Sequence, residues 1–242
     1  MLEQKLALGE QLDNAVVAYY AEVPLLTFNH AATINVSEGN IDSLVREVSD
    51  FFESKGVPFT CFMISPSTRP NSLTSILLKQ GFKMGVELSM MTFEETGFEE
   101  RINPQVSVRV VAERDSNLFT ELMFSIFEMP SELMDGFNRL ILQRIRKGLK
   151  CYIGSIDDEP VGTCGLFSSA KVGEIYPVGT LKDHRGGGIG TTLTLHAIRD
   201  SIKEGNDIHV IRAEKGGYPE GLYRRMGFKI DHTISFIVKS FK

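Results

Sequence analysis

The run Val178-Gly179-Thr180-Leu181-Lys182-Asp183-His184-Arg185-Gly186-Gly187-Gly188-Ile189-Gly190-Thr191 restricts the fold of this chain more than any other segment. It sets a strand, a short turn and a glycine cluster directly before a segment whose apolar residues Ile189, Leu193, Ala197, Ile198 and Ile202 share one helical face. Glycines let the backbone curve with its N–H groups turned inward and let a ligand approach closely, and the helix start adds partial positive charge. Such a segment suits a diphosphate. A P-loop would need Gly-Lys-Ser/Thr after the glycines, and a dinucleotide fingerprint would need a third glycine where Thr191 stands, so neither pattern fits. The bland account, a tight turn with close helix–strand packing, stays open at this point.

The rest of the chain supplies the frame. Residues 3–20 carry Leu6, Leu8, Leu12, Val16, Val17 and Tyr20 at helical spacing before Pro24, which predicts a helix. A short strand over 31–36, an amphipathic helix over 41–52 ending at Gly56, a strand over 59–64, a loop over 65–71, a helix over 73–80 closed by Gly81 and a strand over 84–93 follow. Residues 94–104 are acidic and aperiodic and read as a linker, which places a domain boundary there: 1–104 and 105–242. The second part reads as a strand (106–110), one or two helices (116–147), strands over 150–156, 161–167 and 172–180, a helix (189–204), a strand (208–213), a short helix (220–226) and a final strand (229–238). The Asp157-Asp158-Glu159-Pro160 turn joins the first two of those three strands as an antiparallel hairpin. A weak repeat links Ser75–Lys83 with Gly221–Lys229: each ends a helix in Gly-Phe-Lys and enters a hydrophobic strand.

The glycine turn combined with Leu222-Tyr223-Arg224-Arg225-Met226-Gly227-Phe228 resembles the GNAT superfamily of acyl-CoA-dependent N-acyltransferases. Arg185, Gly188 and Gly190 fit that family's R/Q-x-x-G-x-G/A loop, and Tyr223, Gly227 and Phe228 fit its Y-x-x-x-G-F helix end. The resemblance covers about residues 105 to 242. It implies an α/β (α+β) fold with a mixed, largely antiparallel central sheet flanked by helices, preceded by a second, smaller, related domain as in tandem two-domain members. The N-terminal part has no glycine loop and carries Leu77 where Tyr223 stands, which implies a degenerate, non-catalytic copy.

For function, the resemblance implies acetyl transfer from acetyl-CoA to an amine of a small molecule or protein, directly and without an acyl-enzyme. Val178, Gly179 and Thr180 would contact the pantetheine arm and thioester. The backbone from Arg185 through Gly186, Gly187, Gly188, Ile189 and Gly190 to Thr191 would hold the diphosphate. Tyr223 is the expected proton donor, because a phenol stays protonated at neutral pH yet can serve a thiolate leaving group. Glu174 is the expected general base, with a water chain as the alternative. Where many family members have Asn or Ser after the last inner strand, this chain reads Glu214-Lys215-Gly216-Gly217-Tyr218-Pro219, so the acceptor side departs from the pattern. The non-catalytic alternatives are a CoA-binding sensor and an interaction protein that retains the fold.

Bulk properties bound these expectations. Among 242 residues, 42% are hydrophobic and 24% charged, and no window approaches the roughly 18 apolar residues of a membrane span. The net charge of −5 disfavours a nucleic-acid partner, since phosphate contacts need clustered Lys and Arg. No membrane partner is expected, and a homodimer is left open. Three cysteines without a C-x-x-C pair and a start without a secretory pattern point to a cytoplasmic protein. The five histidines show no ligand spacing, so no metal is expected, and Cys164 reads as core. Phe124, Phe127, Met129 and Met134 read as core packing rather than a pocket wall.

Overall fold

A computed structural model describes residues 8–94 and 102–241. The chain divides into two compact units, Met1–Ser89 with His232–Lys242, and Met90–Asp231. This partition differs from a break within 94–104. The strand ending at Phe93 and the final strand from Phe228 each give residues to both units, and residues 95–101 of the expected linker lie outside the described ones.

The first unit orders its strands β1 (Leu8–Gln11), β2 (Val16–Tyr19), β3 (His30–Ala32), β4 (Phe59–Ile64), β11 (Phe228–Ser240) and β5 (Lys83–Phe93). Of the helix expected over 3–20, residues 3–7 lie outside the described ones and the rest is corrected: residues 8–19 form an antiparallel hairpin with Leu8 opposite Tyr19. Val16, Val17 and Tyr19 favour a pleated surface, and the Leu12 N–H donates to Ala15 O at 2.9 Å to close the turn. Tertiary pairing with β3 thus outweighs an apolar spacing that merely looks helical. Helix α1 (Ile41–Ser54) buries Ile41, Leu44, Val48 and Phe52, the i, i+3, i+7, i+11 stripe of an amphipathic helix, and stops at Gly56 with φ +75°. Helix α2 (Leu73–Lys79) ends at Gly81, φ +87°, followed by buried Phe82.

In the second unit the order runs β11, β5, β10 (Ile208–Glu214), β9 (Val172–Thr180), β8 (Glu159–Ser169), β7 (Lys150–Ile156) and β6 (Ser107–Val110). The pairs β6–β7, β7–β8 and β8–β9 are antiparallel, and β9–β10 is parallel. The turn between β7 and β8 places Asp157 and Asp158 at positive φ, as a tight two-residue hairpin requires. Helices α3 (Ser116–Phe127) and α4 (Met134–Arg146) connect β6 to β7, α5 (Ile189–Lys203) connects β9 to β10, and α6 (Tyr218–Arg225) precedes β11. The core gathers Tyr152, Val161, Leu166, Ile175, Leu193, Ile198, Ile211, Tyr223 and Phe228, in which helix α5 buries Leu193, Ala197 and Ile198 against the sheet. The result is the expected mixed α/β fold with mostly antiparallel strands flanked by helices. Among the described residues no helix is long and apolar enough to cross a membrane.

Candidate active site

Strand β9 changes partners part-way along its length. Its parallel ladder with β10 runs from Val172 opposite Ile208 to Ile175 opposite Ile211, and beyond that point only β8 accompanies it. The cause is local. Between the pairs Leu166–Ile175 and Cys164–Val178, β9 carries one residue more than β8, a bulge that contains Pro177, and a proline has no N–H for a ladder. Val178, Gly179 and Thr180 therefore run beside β8 with their other edge turned to an open cleft.

Gly179 also permits α3 to sit against that edge. A Cβ there would lie 2.5 Å from Ile126 Cγ2 and 2.9 Å from Phe127 Cζ. The cleft is a cavity of about 400 Å³, within the range of small-ligand sites. Its walls are Ile126 and Phe127 from α3, Val178 to Thr180 from β9, the turn at 184–186, Gly188 to Thr191 at the start of α5, and Tyr218, Pro219, Leu222 and Tyr223 from α6.

At the turn, Gly186 and Gly188 have φ of +83° and +75°, the left-handed region where a side chain is strained. Gly188 is the N-cap of α5, and its carbonyl accepts from the Thr192 N–H at 2.9 Å and the Thr192 hydroxyl at 3.0 Å. The next backbone N–H groups therefore remain free of helical partners, as at any helix start, and meet the cavity. Arg185 Nε donates to Thr180 O at 3.2 Å and its Nη2 to Ile126 O at 3.4 Å, so this cation ties turn, strand and α3 together.

Tyr223, which also lines the cavity, is 5% exposed and packed on Phe228 with ring centroids 5.8 Å apart. Burial pushes its phenol well above the ordinary value, with the Cys164 thiol adding to the shift. It stays protonated throughout the neutral range.

The structure thus gathers nine of the ten residues expected at the cofactor, together with Tyr223, around one cavity. Gly187 is the tenth, and its carbonyl instead accepts from Asn103 Nδ2 at 2.7 Å, outside the cavity wall. Glu174 is not in the wall either. It lies in the ladder segment of β9, buried, in an ion pair with Arg212 Nη2, with the Tyr176 ring 5.6 Å from the Arg212 guanidinium. Phe127 lines the cavity rather than the core, while Phe124 packs on Phe137 with centroids 5.5 Å apart. Ile126, His184, Tyr218, Pro219 and Leu222 complete the wall without any signal in their sequence spacing.

Residues 117–228 match the family described as Acetyltransferase (GNAT) family. This segment is a GNAT domain. It contains every cavity-lining residue named above. Mycothiol acetyltransferase of Saccharomonospora viridis is 35% identical over 68 residues, 28% of this chain and 22% of that protein, so the match spans about a fifth of the relative's length. Among solved structures, a GCN5-related N-acetyltransferase from Kribbella flavida superposes with TM-score 0.74 at 14% identity, over 99% of this chain and 91% of that one. A tandem GNAT protein from the clavulanic acid biosynthesis pathway gives 0.64 at 11% identity, over 88% and 74%. At such identities these two likenesses concern the fold.

Proposed function

We propose that the protein transfers an acetyl group from acetyl-CoA directly to an amine. The observation that carries this reading is a single cavity lined by the glycine turn, the start of helix α5 and Tyr223. Backbone N–H groups from Gly186 to Thr191 hold the diphosphate, with Arg185 adding positive charge and bracing the turn. The free edge of Val178 to Thr180 pairs with the amide groups of the pantetheine arm, which directs the thioester towards Tyr223. The attacking nitrogen forms its bond to the carbonyl carbon, the C–S bond breaks, and the Tyr223 hydroxyl gives its proton to the departing sulfur. Water takes the surplus proton from the nitrogen and restores the phenol. Glu174 is the less suitable base, because its carboxylate is engaged by Arg212 and it does not line the cavity.

The N-terminal part is proposed to be a degenerate copy of the same domain type. Gly81 at φ +87° before buried Phe82 repeats Gly227 at +89° before buried Phe228, and Leu77 occupies the place of Tyr223. Three buried free cysteines support a reducing compartment, the cytoplasm.

The test is a panel of amines assayed for free CoA release, alongside CoA titration. Turnover of at least one amine is expected. Tight CoA binding with no amine acetylated would sink the transfer reading, and absence of CoA binding would sink the whole reading.

A further inference from the structure

Asn103 uses all four of its polar functions. Its backbone N–H donates to Thr192 Oγ1 at 3.0 Å, and its carbonyl accepts from the Val106 N–H at 3.1 Å. Its side-chain Oδ1 accepts from the Gln105 N–H at 2.9 Å, while Nδ2 donates to Gly187 O at 2.7 Å. The two side-chain bonds agree on which end of the amide is oxygen and which nitrogen, so its orientation is set by its partners.

These contacts fix peptide planes in the glycine turn. In a trans peptide the carbonyl and the following N–H point in opposite directions. The Gly187 carbonyl is drawn outwards to Asn103, so the Gly188 N–H is turned the other way, and Gly188 lines the cavity while Gly187 does not. A Cβ on Gly188 would point at Asn103 Cβ, 3.5 Å away, which sets Asn103 behind the turn rather than in the ligand's path. The second contact acts one peptide further on. Thr192 Oγ1 receives the Asn103 N–H and passes its own proton to Gly188 O, which holds the Ile189 N–H in the outward direction of a helix start.

We propose that Asn103 is a positioning residue for coenzyme binding, holding the Gly187–Gly188 peptide from behind so that its N–H is preset towards the diphosphate. This rests on the reading of the cavity as a CoA site. A turn with two left-handed glycines has several alternative peptide orientations, and an external clamp removes that freedom before the ligand arrives. Asparagine is required for its charge as well as its shape: aspartate would keep the Gln105 turn but set a carboxylate oxygen against the Gly187 carbonyl.

The experiment titrates wild-type protein, Asn103→Ala and Asn103→Asp calorimetrically with CoA and, at millimolar concentration, with pantetheine, which lacks the diphosphate. Asn103→Ala is expected to weaken CoA about five- to tenfold, the worth of one hydrogen bond, and Asn103→Asp more, with pantetheine within twofold of wild type in both. Thr192→Val is expected to weaken CoA similarly and Thr192→Ser to restore it, which keeps the test open should an Asn103 variant fold poorly. CoA affinity unchanged in Asn103→Ala, or equal losses for both ligands, overturns the proposal. Wild-type protein that binds no CoA overturns instead the reading on which it rests.

Discussion

Glu174 of β9 and Arg212 of β10, which follows the last paired residue Ile211, form an ion pair whose side chains are 7% and 13% exposed. The two strands part just beyond Ile175 and Ile211, and neither member of the pair lines the cavity. Breaking a buried pair by neutralising one partner costs far more than an exposed pair would, of order 3 kcal/mol. Glu174→Gln is therefore expected to lower unfolding free energy by about that amount in urea. Because water rather than Glu174 is the proposed proton acceptor, the acidic limb of the kcat/KM profile should keep its position in this variant. Loss of that limb with full stability would assign the base role to Glu174 after all.

Gly179 lets strand β9 lie close against helix α3 beside the cleft. A methyl at that position overlaps Ile126 Cγ2 at 2.5 Å. Gly179→Ala is expected to destabilise the protein by about 1–3 kcal/mol, as overpacking does, and to raise KM for acetyl-CoA because Ile126 and Phe127 must move into the cavity. A variant with unchanged melting and unchanged KM would show that the contact is loose.

Both the fold and the site were partly legible from local pattern. The glycine turn, Tyr223 and the strands from Lys150 to Thr180 follow from spacing that encodes local geometry: glycines at positive φ, a tight hairpin, an apolar helical face. In residues 8–19, apolar residues four apart suit a helix and a twisted hairpin alike, and only pairing with β3 decides. The place of Phe127 in the cavity wall is not legible in the sequence, which does not reveal which face of α3 meets the bulged strand at Pro177. Asn103 was invisible for a plainer reason: its contact with Gly187 joins residues 84 apart, and no local pattern records it.

His196 offers a pH test of packing on helix α5. Burial favours its neutral ring and outweighs the opposing pull of Asp200, whose carboxylate is 3.7 Å away, so its pKa lies below the ordinary 6.5. A group charged less readily in the folded state adds stability above its unfolded pKa, and that contribution is lost as pH falls from about 6.5 through the lower folded value. The imidazole proton resonances should titrate with a midpoint below 6.5. A midpoint above it would mean that the Asp200 interaction dominates.

The three cysteines are all buried, and burial pushes the Cys151 thiol up to about 12, with Cys61 and Cys164 raised further. Thiolate is the reactive form, so native protein at pH 8 should show almost no reaction with a disulfide reagent over minutes, and three thiols should appear on unfolding. Rapid modification of any one thiol in the native state would contradict the packing described for β4, β7 and β8.

The proton donor role of Tyr223 is the claim on which the catalytic account turns, and Tyr223→Phe removes one oxygen while leaving the ring on Phe228 in place. The decisive measurement is kcat of this variant with an accepted amine, set beside its Kd for CoA. The account predicts kcat lowered by about 100-fold or more with Kd within about twofold of wild type. Full kcat in the phenylalanine variant would contradict it.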